Sequence, residues 1–335
     1  MNARAQPNLQ QAPLFVVLNA GSGHTETELQ RTTIESALAR AGRRYELAIV
    51  DDPGQLDAIA QRMVGQAVAS GGIIVAAGGD GTINAVARRA VNSNCPFGVL
   101  PQGTFNYFAR AHGIPEDLDG AIEALLSGTP HPAQVGLVNE RVFLVNASIG
   151  LYPKILEERE QDKRQFGRSR IVALLSMLRI GLGQHQFLRM HIELDGKPHH
   201  LRTPTLFIGN NPLQMEQLGI KPLSTALDTG ELAAVAPKSV GRLGMIWLML
   251  RGAAGRLGGA QDLVAFSFKR IVVKPISLYG KRRRIKVATD GEVCMLDTPL
   301  DIRVLEGQLL LLKPEAPSQA QTGGSARAPA PAPVP

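Results

Sequence analysis

The chain has 335 residues, beyond the size at which one hydrophobic core keeps growing, so two domains are the default. Hydrophobic residues make up 44% and aromatics 4%, which describes a globule built on aliphatic side chains; two isolated cysteines, Cys95 and Cys294, exclude a disulfide framework and a CxxC-type zinc site. The net charge of +7 is unevenly placed: twelve Lys/Arg between Lys238 and Lys286 stand against one acid, Asp262, which points to an anionic partner, nucleic acid or an anionic lipid surface.

No run reaches the roughly 18–20 apolar residues of a membrane span, and MNARAQPNLQQAP has no apolar h-region, which predicts a reduced cytoplasmic protein. Residues 1–12 read as a disordered lead-in. Leu14 to Leu18 is a buried-type strand, followed by the small-residue turn Asn19-Ala20-Gly21-Ser22-Gly23. Thr25 and Glu28 in capping-box spacing then open an apolar-striped helix that stops at Gly42. Tyr45 to Val50 is the next strand, and a helix from Leu56 ends near Gly71.

Ile73 to Arg89, IIVAAGGDGTINAVARR, is the centre of the chain. An apolar strand meets Gly78-Gly79-Asp80-Gly81, and Thr82 opens a segment with apolar residues at helical spacing (Ile83, Val86, Ala87, Ala90). Glycines admit close backbone approach, and a helix N-terminus favours phosphate. An acid among such amides, Asp80, suggests a Mg²⁺ ion or a hydroxyl to be oriented in the same place. Phe97 to Leu100 gives a fourth strand, ending in Pro101-Gln102-Gly103-Thr104-Phe105-Asn106. The βαβαβαβ alternation predicts a parallel sheet, with its three small-residue turns on the ligand-binding edge at the C-terminal strand ends.

Beyond about residue 130 the reading is mostly antiparallel β, with hairpin signals at Asn139-Glu140 and Asp195-Gly196 and further strands from Thr205 to Leu312. Two helical insertions interrupt it, Ile155 to Ile180 and Val240 to Leu257; the second combines Met245, Trp247, Leu248 and Leu250 with Arg242, Arg251 and Arg256, a composition that suits either a membrane interface or a buried helix with arginine ends. From Pro314 the chain is Pro/Ala-rich and reads as a disordered tail. A P-loop, the protein-kinase motif set and GxSxG are absent, and adjacent His199 and His200 on a strand point to opposite faces, which argues against a shared metal. A second acidic glycine turn, Asp290-Gly291-Glu292, lies between two strand-like runs.

NAGSG at Asn19 to Gly23, GGDGTIN at Gly78 to Asn84, LPQGTFNYFAR at Leu100 to Arg110, LDTGEL at Leu227 to Leu232 and DGE at Asp290 to Glu292 resemble, in order and spacing, the diacylglycerol kinase catalytic-domain family of bacterial lipid kinases. The family is related to sphingosine kinases and, more distantly, to NAD kinases and 6-phosphofructokinases, which share GGDGT alone. The resemblance spans roughly residues 13–313. It implies an α/β nucleotide-binding domain of the NAD kinase/phosphofructokinase-like type over residues 13–130, joined by residues 303–313. A mostly antiparallel, β-sandwich-like lipid domain covers 131–302, and the tail covers 314–335. It implies transfer of the γ-phosphoryl group of ATP to a hydroxyl of diacylglycerol, or of a sphingoid, ceramide-type or other lipid. ATP would be held by Asn19, Ala20, Gly21, Ser22, Gly23, Gly78, Gly79, Asp80, Gly81, Thr82, Ile83, Asn84 and Thr104. Glu292 would be the proton acceptor, opposite Asp80 across an interdomain cleft.

The chain departs from the pattern in three places. Ala20 replaces proline, Ala85 replaces an acid, and Thr229 stands where the family has the aspartate that ligates Mg²⁺, leaving Asp228 as the nearest candidate ligand. That last difference keeps open a non-catalytic nucleotide- and lipid-binding regulator. The implied partners are a lipid alcohol and the anionic inner face of the membrane, met peripherally; nucleic acid is not expected, because it accounts for the charge but not for the three turns.

Overall fold

The computed structural model describes residues 9–20, 24–151, 153, 188–194, 197–238, 242–258, 262–275 and 284–314. Strands β1 (Leu14–Asn19), β2 (Tyr45–Val50), β3 (Ile73–Gly78) and β4 (Pro96–Pro101) form a parallel sheet in the order β2-β1-β3-β4. Helices α1 (His24–Arg40), α2 (Leu56–Ser70) and α3 (Asp80–Ala90) connect them. The strands are continuous apolar runs because helices cover the sheet, and Ile73 through Ala77 are at most 1% exposed. Helices α1 and α2 stop where the sequence predicts, at Gly42 (φ +63°) and Gly71 (φ +62°) in the left-handed region. Helix α1 begins at His24, so Thr25 lies inside its first turn rather than at its cap.

Residues 9–12 depart from the expected disordered lead-in. Ala12 is buried, and the Arg43 guanidinium donates to the carbonyls of Leu9 (2.9 Å) and Ala12 (2.7 Å), which ties this segment to the end of α1. Two helices that the periodicity did not single out follow β4: α4 (Tyr107–Ala111) and α5 (Leu118–Ser127). The Asp117 carboxylate accepts from Gly120 N (2.8 Å) and starts α5, which packs against β4 through Leu125, a side chain that takes the space a Cβ at Gly98 would need.

The chain then builds two facing sheets. One contains β6 (Arg141–Phe143), β5 (Thr129–Val138), β16 (Leu300–Lys313), β13 (Arg270–Pro275), β8 (Leu188–Leu194) and β9 (Lys197–Thr203). The other is antiparallel, in the order β12 (Leu263–Phe268), β11 (Leu232–Pro237), β10 (Thr205–Gly209), β7 (Asn146–Gly150), β14 (Arg284–Thr289), β15 (Glu292–Asp297). Alternate residues fill the space between them, including Met190 and Ile192, Leu206 and Ile208, Ile271 and Val273, and Leu300 and Ile302. Gly136 leaves room for the Phe143 ring, which a Cβ would meet at 2.2 Å.

Strand β16 joins the parallel sheet to the first of these sheets, so that the two form one ten-stranded sheet. Leu300–Arg303 pair antiparallel with β13, whereas Leu310 and Leu311 pair parallel with β4, and β5 runs along both halves. The sequence suggests two strands here. One strand forms instead, bent where the register shifts between Leu305 and Leu309 and Gly307 adopts φ +70°. Helices α6 (Pro212–Gln217) and α7 (Lys221–Asp228) cover the outer face of the second sheet, where Met215, Leu223 and Leu227 meet Ala233 and Val235. Helix α8 (Arg242–Ala253) follows β11. The expected helix over 155–180, the Asp195-Gly196 turn itself, Lys281–Arg283 and the tail beyond residue 314 lie outside the described residues.

Candidate active site

The structure brings together Asn19 at the C-terminal end of β1 and the turns that follow β3 and β4. The Asn19 amide at the end of β1 donates to the Thr82 hydroxyl (2.8 Å) in the first turn of α3. Gln102 N donates to Gly78 O (2.9 Å), and Gly103 N to the Asn106 carboxamide oxygen (2.8 Å). The turns after β3 and β4 touch backbone to backbone: a Cβ at Gly103 would lie 2.9 Å from the Gly79 Cα. Only glycine admits this approach. Thr104 is exposed on the same loop. Ala20 follows Asn19, and Gly21, Ser22 and Gly23 lie outside the described residues.

Helix α3 starts here without a side-chain cap. Gly79 occupies its N-cap position, and a Cβ at the exposed Gly81 would meet nothing within 4 Å. Its N-terminus thus lacks a side-chain acceptor, and a helix N-terminus left in this way suits an anion. Ile83 points elsewhere: its side chain is fully buried in the core, so it contributes to this site through position alone.

Asp80, Asn84 and Arg88 recur at intervals of four along one face of α3, and each holds a different part of the site. The Asp80 carboxylate accepts from the N–H groups of Tyr107 and Phe108 (both 3.3 Å), capping α4 from outside. Asn84 Nδ2 donates to Asp290 Oδ2. Arg88 donates to Glu292 Oε2 (3.3 Å). The expectation that Asp80 and Glu292 face each other is thereby corrected. Glu292 meets the helix eight residues beyond Asp80, about 12 Å along the axis at 1.5 Å per residue. The acid nearer Asp80 is Asp290.

Asp290 and Gly291 form a two-residue hairpin turn with φ +47° and +86°, closed by the Thr289–Glu292 pair. That turn drives the Asp290 carboxylate inward. Oδ1 accepts from Val145 N and Asn146 N (both 2.9 Å), and Oδ2 accepts from Leu144 N (2.7 Å) as well as from Asn84. Burial pushes its carboxyl up to about 6, opposed by those three backbone N–H bonds and reinforced by the Asp80 charge. Burial likewise raises the Asp80 carboxyl, against the N–H groups of Phe108, Tyr107 and Asn106. Glu292 is the accessible acid, its side chain 48% exposed; Arg141 donates to the same Oε2 (2.7 Å) and, through Nε, to Thr289 Oγ1 (2.8 Å). Both guanidiniums use one oxygen, so Oε1 has no partner among the described residues.

Sequence reasoning missed Arg88, Arg141, Tyr107 and the asparagines that hold the sandwich to this edge. Asn211 Nδ2 donates to Tyr107 O (2.8 Å) while its Oδ1 caps α6 at Gln214 N (3.2 Å), and the Tyr107 hydroxyl donates to Gln217 Oε1 (2.8 Å). A signal was available: Arg88 stands two four-residue steps from Asp80.

The Mg²⁺ expectation at Asp228 does not fit the donors present. Asp228 is exposed at the end of α7, and Ala226 O is already taken by Thr229 N (3.1 Å), Thr229 Oγ1 (2.8 Å) and Glu231 N (3.3 Å). Among the described residues no group of three His, Cys, Asp or Glu could hold a metal. Where a carboxylate would be needed, the Thr229 hydroxyl donates a proton to the carbonyl instead.

Residues 13–138 match the family model of the diacylglycerol kinase catalytic domain. The "Probable lipid kinase YegS-like" protein of Pseudomonas aeruginosa is 35% identical over 133 residues, which cover 39% of this chain and 42% of that protein. Its counterpart in Pseudomonas syringae pv. tomato is 31% identical over 202 residues, 58% of this chain and 64% of that protein. The chain spans about half the length of the curated relatives it matches. The crystal structure of a diacylglycerol kinase from Bacillus anthracis str. Sterne superposes with a TM-score of 0.66 over 91% of this chain and 98% of that one, at 20% identity, which establishes a shared fold. Over residues 13–138 the chain is similar to the diacylglycerol kinase catalytic domain.

Proposed function

We propose that the protein is an ATP-dependent lipid kinase, which transfers the γ-phosphoryl group to the hydroxyl of diacylglycerol or a related lipid alcohol while working peripherally at the inner face of the membrane. The observation that carries this reading is the convergence of Asn19 and of the turns after β3 and β4 on the uncapped N-terminus of α3, whose next two turns reach the DGE hairpin. Phosphoryl transfer demands mainly alignment and charge neutralisation. The α3 N-terminus and the turns around Asn19, Gly79 and Gly103 would hold the phosphates. Asp80 keeps the GTFN loop in place, and Asp290 fixes the hairpin. Glu292, oriented by Arg88 and Arg141 with Oε1 left over, would accept the proton of the lipid hydroxyl, a contribution of about 10²- to 10⁴-fold.

The test is transfer of ³²P from γ-labelled ATP, supplied with Mg²⁺, to a lipid extract resolved by thin-layer chromatography, beside Glu292→Gln and Asp80→Ala. A labelled lipid that disappears in both variants supports the assignment, and its mobility separates a glycerolipid acceptor from a sphingoid or ceramide one. Wild-type turnover in either variant removes that residue from its role. The Thr229 loop favours a second reading, a nucleotide- and lipid-binding regulator without turnover; ATP binding with no labelled lipid in any extract would select it.

A further inference from the structure

We infer that α8 is a membrane-docking helix, which seats Leu243, Trp247 and Leu250 in the interface of an anionic phospholipid bilayer. The inference deepens the lipid-kinase reading by naming the surface that brings the site to a membrane-borne acceptor. These three side chains are 81%, 60% and 50% exposed, respectively. At 100° per residue they fall within an arc of about 60°, a single ridge along the helix, while Leu248 on another face is buried at 6%. Apolar side chains scattered singly over a surface need no explanation, but a continuous ridge with tryptophan at its middle does. An indole, apolar in body and polar at one edge, suits the headgroup boundary of a bilayer.

Charge selects the occupant. Four of the twelve cations in the basic segment pair with acids elsewhere in the fold: Lys269 with Glu306, Arg270 with Asp301, Lys274 with Glu193 and Arg284 with Asp297. Arg251, on the flank of the ridge, instead donates to Arg256 O (3.0 Å) and folds the end of α8 back. Neither Arg251 nor Arg256 has a carboxylate within ion-pair distance among the described residues, and Arg256 is exposed. An apolar ridge beside uncompensated guanidiniums complements lipid acyl chains beneath anionic headgroups.

The ridge is also fixed to the site. Leu257 N donates to Leu218 O (2.9 Å), and a Cβ at Gly219 would lie 2.1 Å from Gly255 O, so the end of α8 lies directly on the segment after α6. Gln217, the last residue of α6, accepts the Tyr107 hydroxyl, and Tyr107 stacks at 5.6 Å on Phe105, itself 61% exposed on the GTFN loop. Helix α8, α6 and the loop beside Asp80 thus form one connected flank.

Trp247 is the only tryptophan in the chain, so intrinsic fluorescence reports on this ridge alone. The full chain is titrated with phosphatidylglycerol/phosphatidylcholine vesicles, with phosphatidylcholine vesicles, and with anionic vesicles carrying brominated acyl chains. Docking predicts a blue shift and bromine quenching with the anionic vesicles, weakened by high salt, and at least a 10-fold loss of vesicle affinity in Leu243→Glu and Leu250→Glu with unchanged circular dichroism. Phosphorylation of acceptor in bilayers falls in those variants, while phosphorylation of a soluble short-chain diacylglycerol stays at the wild-type rate. Trp247 emission indifferent to every vesicle overturns the proposal. A dimer that Leu243→Glu dissolves, with no lipid response, also overturns it and makes the ridge a contact between copies. Quenching without phosphorylation of the soluble acceptor upholds docking and counts against the kinase reading.

Discussion

Replacing Asp290 by asparagine separates the two demands the site places on that residue, acceptance of hydrogen bonds and burial of charge. The wild-type carboxylate accepts from three backbone N–H groups and from Asn84. In Asp290→Asn one oxygen keeps Val145 N and Asn146 N; Asn84 can turn its amide over, but Leu144 N is left facing an NH₂ group. One buried donor without an acceptor costs about 1–3 kcal/mol. Against this stands the cost of ionising a half-buried acid whose carboxylate is enclosed by protein. With the carboxyl raised from its ordinary 3.8 to about 6, the folded protein holds the proton more tightly than the unfolded chain. This contribution therefore stabilises the fold at pH values below about 4. It is lost as pH rises through about 6, a change of about 2–3 kcal/mol between pH 4 and pH 7. Asparagine has no such term. The variant should therefore lie close to wild type at pH 7 and fall about 2–3 kcal/mol further below it at pH 4. Urea unfolding followed by far-ultraviolet circular dichroism at pH 4, 5, 6 and 7 measures this difference directly. Parallel pH profiles for the two proteins would show that Asp290 titrates as an ordinary surface acid and would sink the argument.

Three further changes probe the rest of the site. Gly103→Ala places a methyl 2.9 Å from the Gly79 Cα, so the two turns must part; ATP affinity by calorimetry should fall at least about 10-fold, since each 1.4 kcal/mol is tenfold, while the melting temperature moves little. Arg88→Met removes one of two guanidiniums from a half-exposed carboxylate, worth under about 1 kcal/mol of stability, yet it should lower kcat with KM for ATP unchanged; Arg88→Lys should restore part of it. Thr229→Asp supplies the carboxylate the loop after α7 lacks, and differential scanning calorimetry should then show a Mg²⁺-dependent rise in melting temperature that the wild type does not.

Much of the fold was legible because parallel strands and tight turns leave local marks. The runs LFVVL and IIVAA, the glycine stops at Gly42 and Gly71, and the hairpin signals at Asn139-Glu140 and around Asp195-Gly196 all predict elements that the structure has. The weakness was at junctions. Strand β16 reads as two strands because Glu306-Gly307-Gln308 interrupts its apolar pattern, and only the pairing with β5 along both halves shows that the chain bends rather than stops. Helix α4 is five residues long, too short to establish a period, and is held by an acid from another turn, Asp80. The polar contacts of Asn211, which fasten α6 to Tyr107, cross 104 residues of sequence.

The same distinction runs through the site. Which residues gather at the site was legible from the types at the turns, but the contacts each one makes were not. Asp290 and Glu292 stand two residues apart in one hairpin, and nothing local says which one turns inward. The answer comes from Leu144, Val145 and Asn146, whose N–H groups present a ready-made acceptor site to the first turn residue and to no other. Once Asp290 is fixed there, the short hairpin leaves Glu292 at the rim, where Arg88 and Arg141 reach it. Asp290 then ties the hairpin to residues 144–146 and to α3, while Glu292 is the acid that the proposed kinase reading would use as proton acceptor. A motif can identify such a pair of acids, whereas the donors around each determine what it does.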